Sequence, residues 1–142
     1  MTVKRITLWR REVPNRPGEL AATLVPLAEA SANLDVVMGY RFPGNESQAA
    51  IEVYPVAGRK AAAAAQRVGL TDSGIPTLLV QGSNRAGLGA SFARALSDAG
   101  INVAFLVAQV IGRTYSAVIG FDNDADARRA ATLIKRAGDT KR

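Results

Sequence analysis

The sequence predicts an α+β protein in which one structural unit is written twice, each copy an antiparallel sheet with helices on one face. Three observations carry this. First, the run Asn15-Arg16-Pro17-Gly18 returns as Asn84-Arg85-Ala86-Gly87, and Asn33 returns as Asn102, both at an offset of 69 (84 − 15 and 102 − 33). Second, each run separates a strand-like segment from a helix-like one. Third, each copy continues strand, strand, helix, an order that places the helices on one side of an antiparallel sheet. The chain has 142 residues, 48% hydrophobic and 21% charged, so it can bury one ordinary core or two small ones and is too apolar for disorder.

The first copy opens with a strand over residues 3–13, where Ile6 and Leu8 share a face. After the turn, Leu20, Leu24 and Leu27 fall at i, i+4 and i+7, one apolar stripe of a helix that Pro26 interrupts. From Asn33 a strand follows in which Leu34, Val36, Met38, Tyr40 and Phe42 alternate with Asp35, Val37, Gly39 and Arg41. The turn Pro43-Gly44-Asn45 leads to a return strand carrying Ala49, Ile51 and Val53. Alanine-rich residues 59–68 form the second helix, which Gly69 stops. Asp35, Arg41, Gln48 and Glu52 are expected on the open face of this sheet. Turn residues 71–76 divide the copies.

The second copy repeats the order: a strand over 77–81, a helix with Leu88, Phe92, Leu96 and Ala99 on one face, a hairpin of residues 101–111 and 115–121, and a last helix over 124–137. Matching Ala50-Ile51 with Ala117-Val118 gives an offset of 67, a hairpin loop about two residues shorter. Val103, Phe105 and Val107 alternate with Ala104, Leu106, Ala108 and Val110, and residues 115–121 are apolar on both faces. Strands buried on both sides read this way. A homodimer in which this open face meets another subunit is expected, with a contact between the two halves of one chain as the alternative.

What is missing narrows function. No histidine or cysteine is present, which removes the imidazole and thiolate routes to general acid/base work, metal ligation and nucleophilic triads. A non-catalytic protein with neither cofactor nor metal is the reading. No apolar run approaches the roughly 18 residues of a membrane span. Residues 2–13 carry Lys4, Arg5, Arg10 and Arg11 in an extended pattern and resemble no signal peptide, so the expected location is cytoplasmic. The net charge of +6 is dispersed over Lys4-Arg5, Arg10-Arg11, Arg128-Arg129, Lys135-Arg136 and Lys141-Arg142. That is the pattern of a solvated surface, and nucleic acid is not the expected partner. Asp122, Asp124 and Asp126 have the spacing of a calcium loop, but Ala127 and Leu133 stand where glycine and glutamate are required, so helix capping accounts for the acids.

The duplicated turn suits a small anion. Gly18 and Gly87 allow close backbone approach and positive φ, and the amides of the first helical turn are free to receive a carboxylate. A carboxamide offers donor and acceptor without charge. Asn33 and Asn102, at strand starts, are expected close to the same turns. The alternative is that Asn15 and Asn84 are helix caps and Asn33 and Asn102 turn formers.

These residues carry a resemblance. The run Val13-Pro14-Asn15-Arg16-Pro17-Gly18-Glu19-Leu20, a helix and Asn33-Leu34 resemble the ACT domain family, and Asn84-Arg85-Ala86-Gly87-Leu88, a helix and Ile101-Asn102-Val103 resemble it more weakly. Over nearly its whole length the chain looks like a tandem ACT-domain protein. The resemblance implies ferredoxin-like (βαββαβ) units over residues 1–72 and 73–142. It also implies a regulatory role, with an amino acid or similar effector bound at ACT-domain interfaces. The residues implied are Asn15, Arg16, Pro17, Gly18, Glu19, Leu20, Asn33 and Leu34, with Asn84, Arg85, Ala86, Gly87, Leu88, Asn102 and Val103 in the second copy. A separate enzyme or regulator would receive the signal. An assembly module without ligand, or a regulator of transcription, is the alternative. The spacing is similar to that of serine-sensing regulatory domains of phosphoglycerate dehydrogenases, which place a histidine two positions before the first asparagine; Val13 and Gly82 stand there. A fourth strand is not evident in either copy: only residues 77–81 lie between the second helix and the second turn, and residues 138–142 are short and polar. The copies share or exchange an edge strand, or one edge stays open.

Overall fold

The computed structural model describes residues 1–140, and Lys141-Arg142, counted above among the basic pairs, lies outside them. The described chain forms β1 (Thr2–Ile6), β2 (Trp9–Pro14), α1 (Glu19–Glu29), β3 (Val36–Phe42), β4 (Asn45–Tyr54), α2 (Arg59–Arg67), β5 (Thr71–Asp72), β6 (Thr77–Ser83), α3 (Leu88–Asp98), β7 (Val103–Ile111), β8 (Thr114–Phe121) and α4 (Asp124–Asp139). Two compact units result, one of residues 7–74, the other of residues 1–6 together with residues from 75 onward.

In the first unit the sheet order is β3-β4-β2-β5, with every described pairing antiparallel. On the helix side of this sheet, Val13 of β2 and Ile51 and Val53 of β4 join Leu27 of α1, Ala64 and Ala65 of α2 and Leu70 in one core. The apolar stripe of α1 turns inward at Leu27, Leu24 packs at the rim, and Leu20 is left half exposed. Pro26 sits in the last turn of α1, where it has no N–H to give to the carbonyl of Ala22, and the helix continues through it to Glu29.

In the second unit the order is β1-β6-β8-β7. Its core joins Leu78 and Val80 of β6, Leu88, Phe92 and Leu96 of α3, Tyr115, Ala117, Ile119 and Phe121 of β8, and Ala127, Ala130 and Ile134 of α4. Relative to the first strand of its unit, β1 occupies the place that β5 occupies beside β2. The exchanged edge strand is therefore real. The segment read as one strand over residues 3–13 is two: β1 pairs with β6, from Thr2 opposite Gln81 to Ile6 opposite Thr77, and β2 pairs with β4 and β5. Thus residues 1–6 fall outside the division at 72/73 that the repeat implies. Among the described residues each unit has four strands and two helices on one face of the sheet, the α+β, ferredoxin-like arrangement.

Two details of register differ from the sequence reading. Arg11 pairs with Ile51 and Val80 with Ala117, so the return strands are offset by 66 (117 − 51) rather than 67, and the second hairpin is three residues shorter. The register of β3 with β4 shifts between Arg41, opposite Ala49, and Phe42, opposite Asn45. That irregularity holds the extra residues Glu46, Ser47 and Gln48. Second, Gly39 lies opposite Ile51 and Arg41 opposite Ala49, on the row that faces the helices. Arg41 thus leaves the open face it was assigned to; Glu52, directly opposite Arg10, is on the open face as read.

Candidate functional site

The first turn is fixed by the extra residues of its own hairpin. The backbone amide of Asn15 donates to Ser47 O at 2.9 Å, and its carboxamide Nδ2 donates to Glu46 O at 2.8 Å. Asn15 is therefore not a helix cap. The residue before α1 is Gly18, at φ 94°, and no side chain caps the helix there. This left-handed conformation strains any residue with a Cβ, which is what places glycine at this point. The second turn repeats the geometry with Gly87 at φ 80°, while the amide of Asn84 donates to Arg113 O at 2.8 Å.

Beside the first turn lies a cavity of about 270 Å³, open to solvent, bordered by Asn15, Arg16, Glu19 and Leu20 of the turn and helix and by Val13, Gly39, Arg41 and Ile51 of the sheet. Gly39 makes room for it. A Cβ built at Gly39 meets no atom within 4 Å, so the missing side chain leaves open space at this point of the strand.

The cavity carries both signs of charge. Glu19, in the first turn of α1, has a side chain 11% exposed. Arg16 Nε donates to its Oε1 at 2.8 Å, and Arg11 Nη1 stands 3.4 Å from its Oε2. Arg11 also donates to Thr23 Oγ1 at 2.9 Å, and Thr23, fully buried, donates to the Glu19 carbonyl at 2.9 Å. Arg11, held by Thr23, thereby pairs with the carboxylate from the sheet side, while Arg16, 67% exposed, closes it from the solvent side. The resemblance implied Glu19 and Arg16 but not Arg11, Thr23, Gly39 or Arg41. A signal existed: Arg11 alternates with Trp9 and Val13 on the apolar face of its strand, where an unpaired charge would not be stable.

The asparagines do not converge. Asn33 is exposed in the loop after α1, and the 11 residues of that helix separate it from Asn15 by roughly 17 Å at 1.5 Å per residue. Asn33 and Leu34 do not border the cavity; Leu34 packs at the rim of the core. The second copy is arranged likewise. Asn102 lies beyond the far end of α3, donates to Asp122 Oδ2 at 3.3 Å, and borders with Val103 a separate hollow of about 460 Å³. The expectation that each asparagine pair lies at one turn fails because an 11-residue helix stands between its members.

The second turn also lacks the polar cluster. At the offset of 69, Arg11, Glu19 and Thr23 become Val80, Leu88 and Phe92, all three buried in the core, and Gly39 becomes Ala108. Arg85 turns away to cap the C-terminal end of α4, its Nη2 donating to Ala137 O at 2.9 Å and Thr140 O at 3.3 Å. Gly82, where the resemblance would place a histidine, is closely covered: a Cβ there would stand 2.9 Å from Met1 Sδ and 3.1 Å from Met1 Cα.

On the open face of the first sheet a second polar group stands apart. Tyr40 Oη donates to Glu52 Oε2 at 3.1 Å, and Glu52 is 1% exposed. Burial raises the carboxyl above its ordinary pKa, against lowering by the Tyr40 hydrogen bond and by Arg10, and burial raises the Tyr40 phenol too. Arg10 rests over the Phe42 ring at 5.5 Å. No group of three or more potential metal ligands occurs among the described residues, and no helix among them is long and apolar enough to cross a membrane. Asp124 and Asp126 stand in the first turn of α4, whose cap is Asn123 Oδ1, accepting from the Asp126 amide at 2.8 Å.

The paired ferredoxin-like units define a class that solved structures share. Protein BT0572 from Bacteroides thetaiotaomicron is similar with a TM-score of 0.77 at 16% identity, over 94% of this chain and 89% of that one. The regulatory subunit of aspartate kinase from Thermus thermophilus, in its ligand-free form, has a TM-score of 0.61 at 19% identity, over 96% and 97%. That from Thermus flavus has 0.59 at 18%, over 96% and 95%. At these identities the likeness is one of fold. No protein-family model matches the sequence, and no curated protein does either.

Proposed function

We propose that this protein is a non-catalytic, cytoplasmic regulatory module of the tandem ACT type that binds an amino acid or a similar small ligand at the Asn15–Gly18 turn of its first unit. The observation that carries the reading is the cavity of about 270 Å³ beside that turn, bordered by Arg16, Glu19 and Arg41. It is sized for a metabolite and bears complements to both a carboxylate and an ammonium group. Its support from outside the chain is the fold of aspartate kinase regulatory subunits. Occupancy would bias an assembly, or a separate enzyme or regulator, only by the difference in ligand affinity between two states. Asn33, at the other end of α1, joins such a site only where another copy of the chain presents it. Calorimetry of the full chain against the common α-amino acids tests the proposal: saturable heat from at least one supports it, and silence across the panel overturns it.

A second reading, an assembly module without ligand, draws on β7. This edge strand has no charged residue, and Leu106, Val107, Val110 and Ile111 are exposed, Ile111 to 68%. An exposed apolar edge is a site for pairing with another strand, and it supports the homodimer in either reading.

A further inference from the structure

We propose, on the reading just given, that Glu19 is the anchor for the ammonium group of a zwitterionic ligand, and that each chain carries one such site. In the empty cavity the carboxylate is held on two sides of unequal character. Arg11, fixed by Thr23, is the interior partner. Arg16 is a solvent-side partner on an exposed side chain. An ammonium group entering from solvent takes the place of Arg16 at Oε1 and leaves Arg11 undisturbed. The displaced guanidinium and Arg41, which borders the cavity from β3, then face the ligand's carboxylate, where a planar fork pairs well. Val13, Leu20, Ala49 and Ile51 are among the residues that border the rest, an apolar wall that suits a small apolar side chain on the ligand. The floor at Gly39 sets the depth.

The second unit keeps the backbone of the turn but not this chemistry. Leu88 stands at the position of Glu19, Val80 at that of Arg11, and Arg85 is bound to the end of α4. A turn with no carboxylate beneath it has nothing to hold an ammonium group.

The test is calorimetry of the full chain with the common α-amino acids, followed by the tightest binder's own primary amine and its deaminated acid. The expected result is one ligand per chain, with the amine and the deaminated acid each at least tenfold weaker. Glu19→Gln should abolish the preference for the amino acid over the deaminated acid. Gly39→Val should abolish all binding with an unchanged circular dichroism spectrum and no loss of melting temperature, because the added side chain enters open space in a strand. A deaminated acid that binds as tightly as the amino acid overturns the role of Glu19 and leaves the proposed function standing. Two ligands per chain, or a full-affinity site surviving in Gly39→Val, overturns the single site. No binding by any amino acid overturns both.

Discussion

Leu88→Glu places in the second unit the residue that the first carries at Glu19. Leu88 is 2% exposed in a cluster with Leu78, Val80, Phe92 and Tyr115. Losing its apolar burial costs roughly 2 kcal/mol. The new carboxylate has no counterpart of Arg11, because Val80 occupies that position, and Arg85 reaches it only by leaving the carbonyls of Ala137 and Thr140. A carboxyl that must stay protonated at pH 7 costs a further 3.7 kcal/mol or so, 1.36 kcal/mol for each of about 2.7 pH units above its ordinary value. The sum is roughly 5 to 6 kcal/mol at pH 7 and roughly 2 kcal/mol near pH 4.5, where the second contribution nearly vanishes. Urea denaturation followed by circular dichroism at both values measures it, with Leu88→Gln as the uncharged control. A loss below about 1 kcal/mol at pH 7, or a loss independent of pH, would show that a charge is tolerated there. The two turns would then not differ in their tolerance of a carboxylate.

Two other outcomes follow from the strands. Glu52, buried and raised in pKa by that burial, contributes stability below its unfolded pKa that is lost as pH rises through the higher folded value. Glu52→Gln should therefore flatten the decline of wild-type stability from pH 5 to pH 8, giving its largest relative gain at pH 8; an unchanged slope in urea melts would refute the assignment. The β7 edge should pair two chains, so the wild type should scatter light as a dimer at micromolar concentration. Val107→Lys with Val110→Lys should give a monomer of unchanged circular dichroism, since two exposed positions of the edge then bring like charges together. A monomeric wild type, or a dimeric variant, removes the edge from the assembly.

The repeat was legible because it is local: a turn, a helix stripe and an alternating hairpin each announce themselves within about 20 residues. The exchange of β1 was not, because alternation specifies which face of a strand is buried and not which strand lies beside it. Residues 3–13 read as one strand since nothing at Thr7 or Leu8 has turn chemistry. The asparagine pairs misled for a related reason. Equal spacing in two copies shows that the positions are equivalent, not that they are neighbours, and Asn15 and Asn33 lie at opposite ends of α1. Gly39 was visible as a gap in an apolar alternation but meaningless until its row was known to face α1. The three extra hairpin residues were nearly legible. An offset of 67 in place of 66 hid the irregularity whose carbonyl groups hold Asn15.

The divergence of the two copies weighs on what the first cluster is for. Replacing a buried ion pair with apolar residues of similar volume is often neutral or stabilising, by about 1 to 4 kcal/mol. The second copy has apolar residues, Val80 with Leu88 and Phe92, at the positions of Arg11, Glu19 and Thr23, and builds its core from them. The same backbone is therefore compatible with an apolar solution at those three positions. In the first copy the positions carry Arg11, Glu19 and Thr23 instead, beside a strand weakened by a glycine at its middle and a hairpin irregularity that holds Asn15. None of these features adds to the first core, whose buried members are Val13, Leu27, Ile51, Val53, Ala64, Ala65 and Leu70. Of these residues, Asn15, Glu19 and Gly39 border the cavity. The apolar solution at these positions belongs to the core of its unit, whereas the polar one places the charge of Glu19 beside a cavity open to solvent.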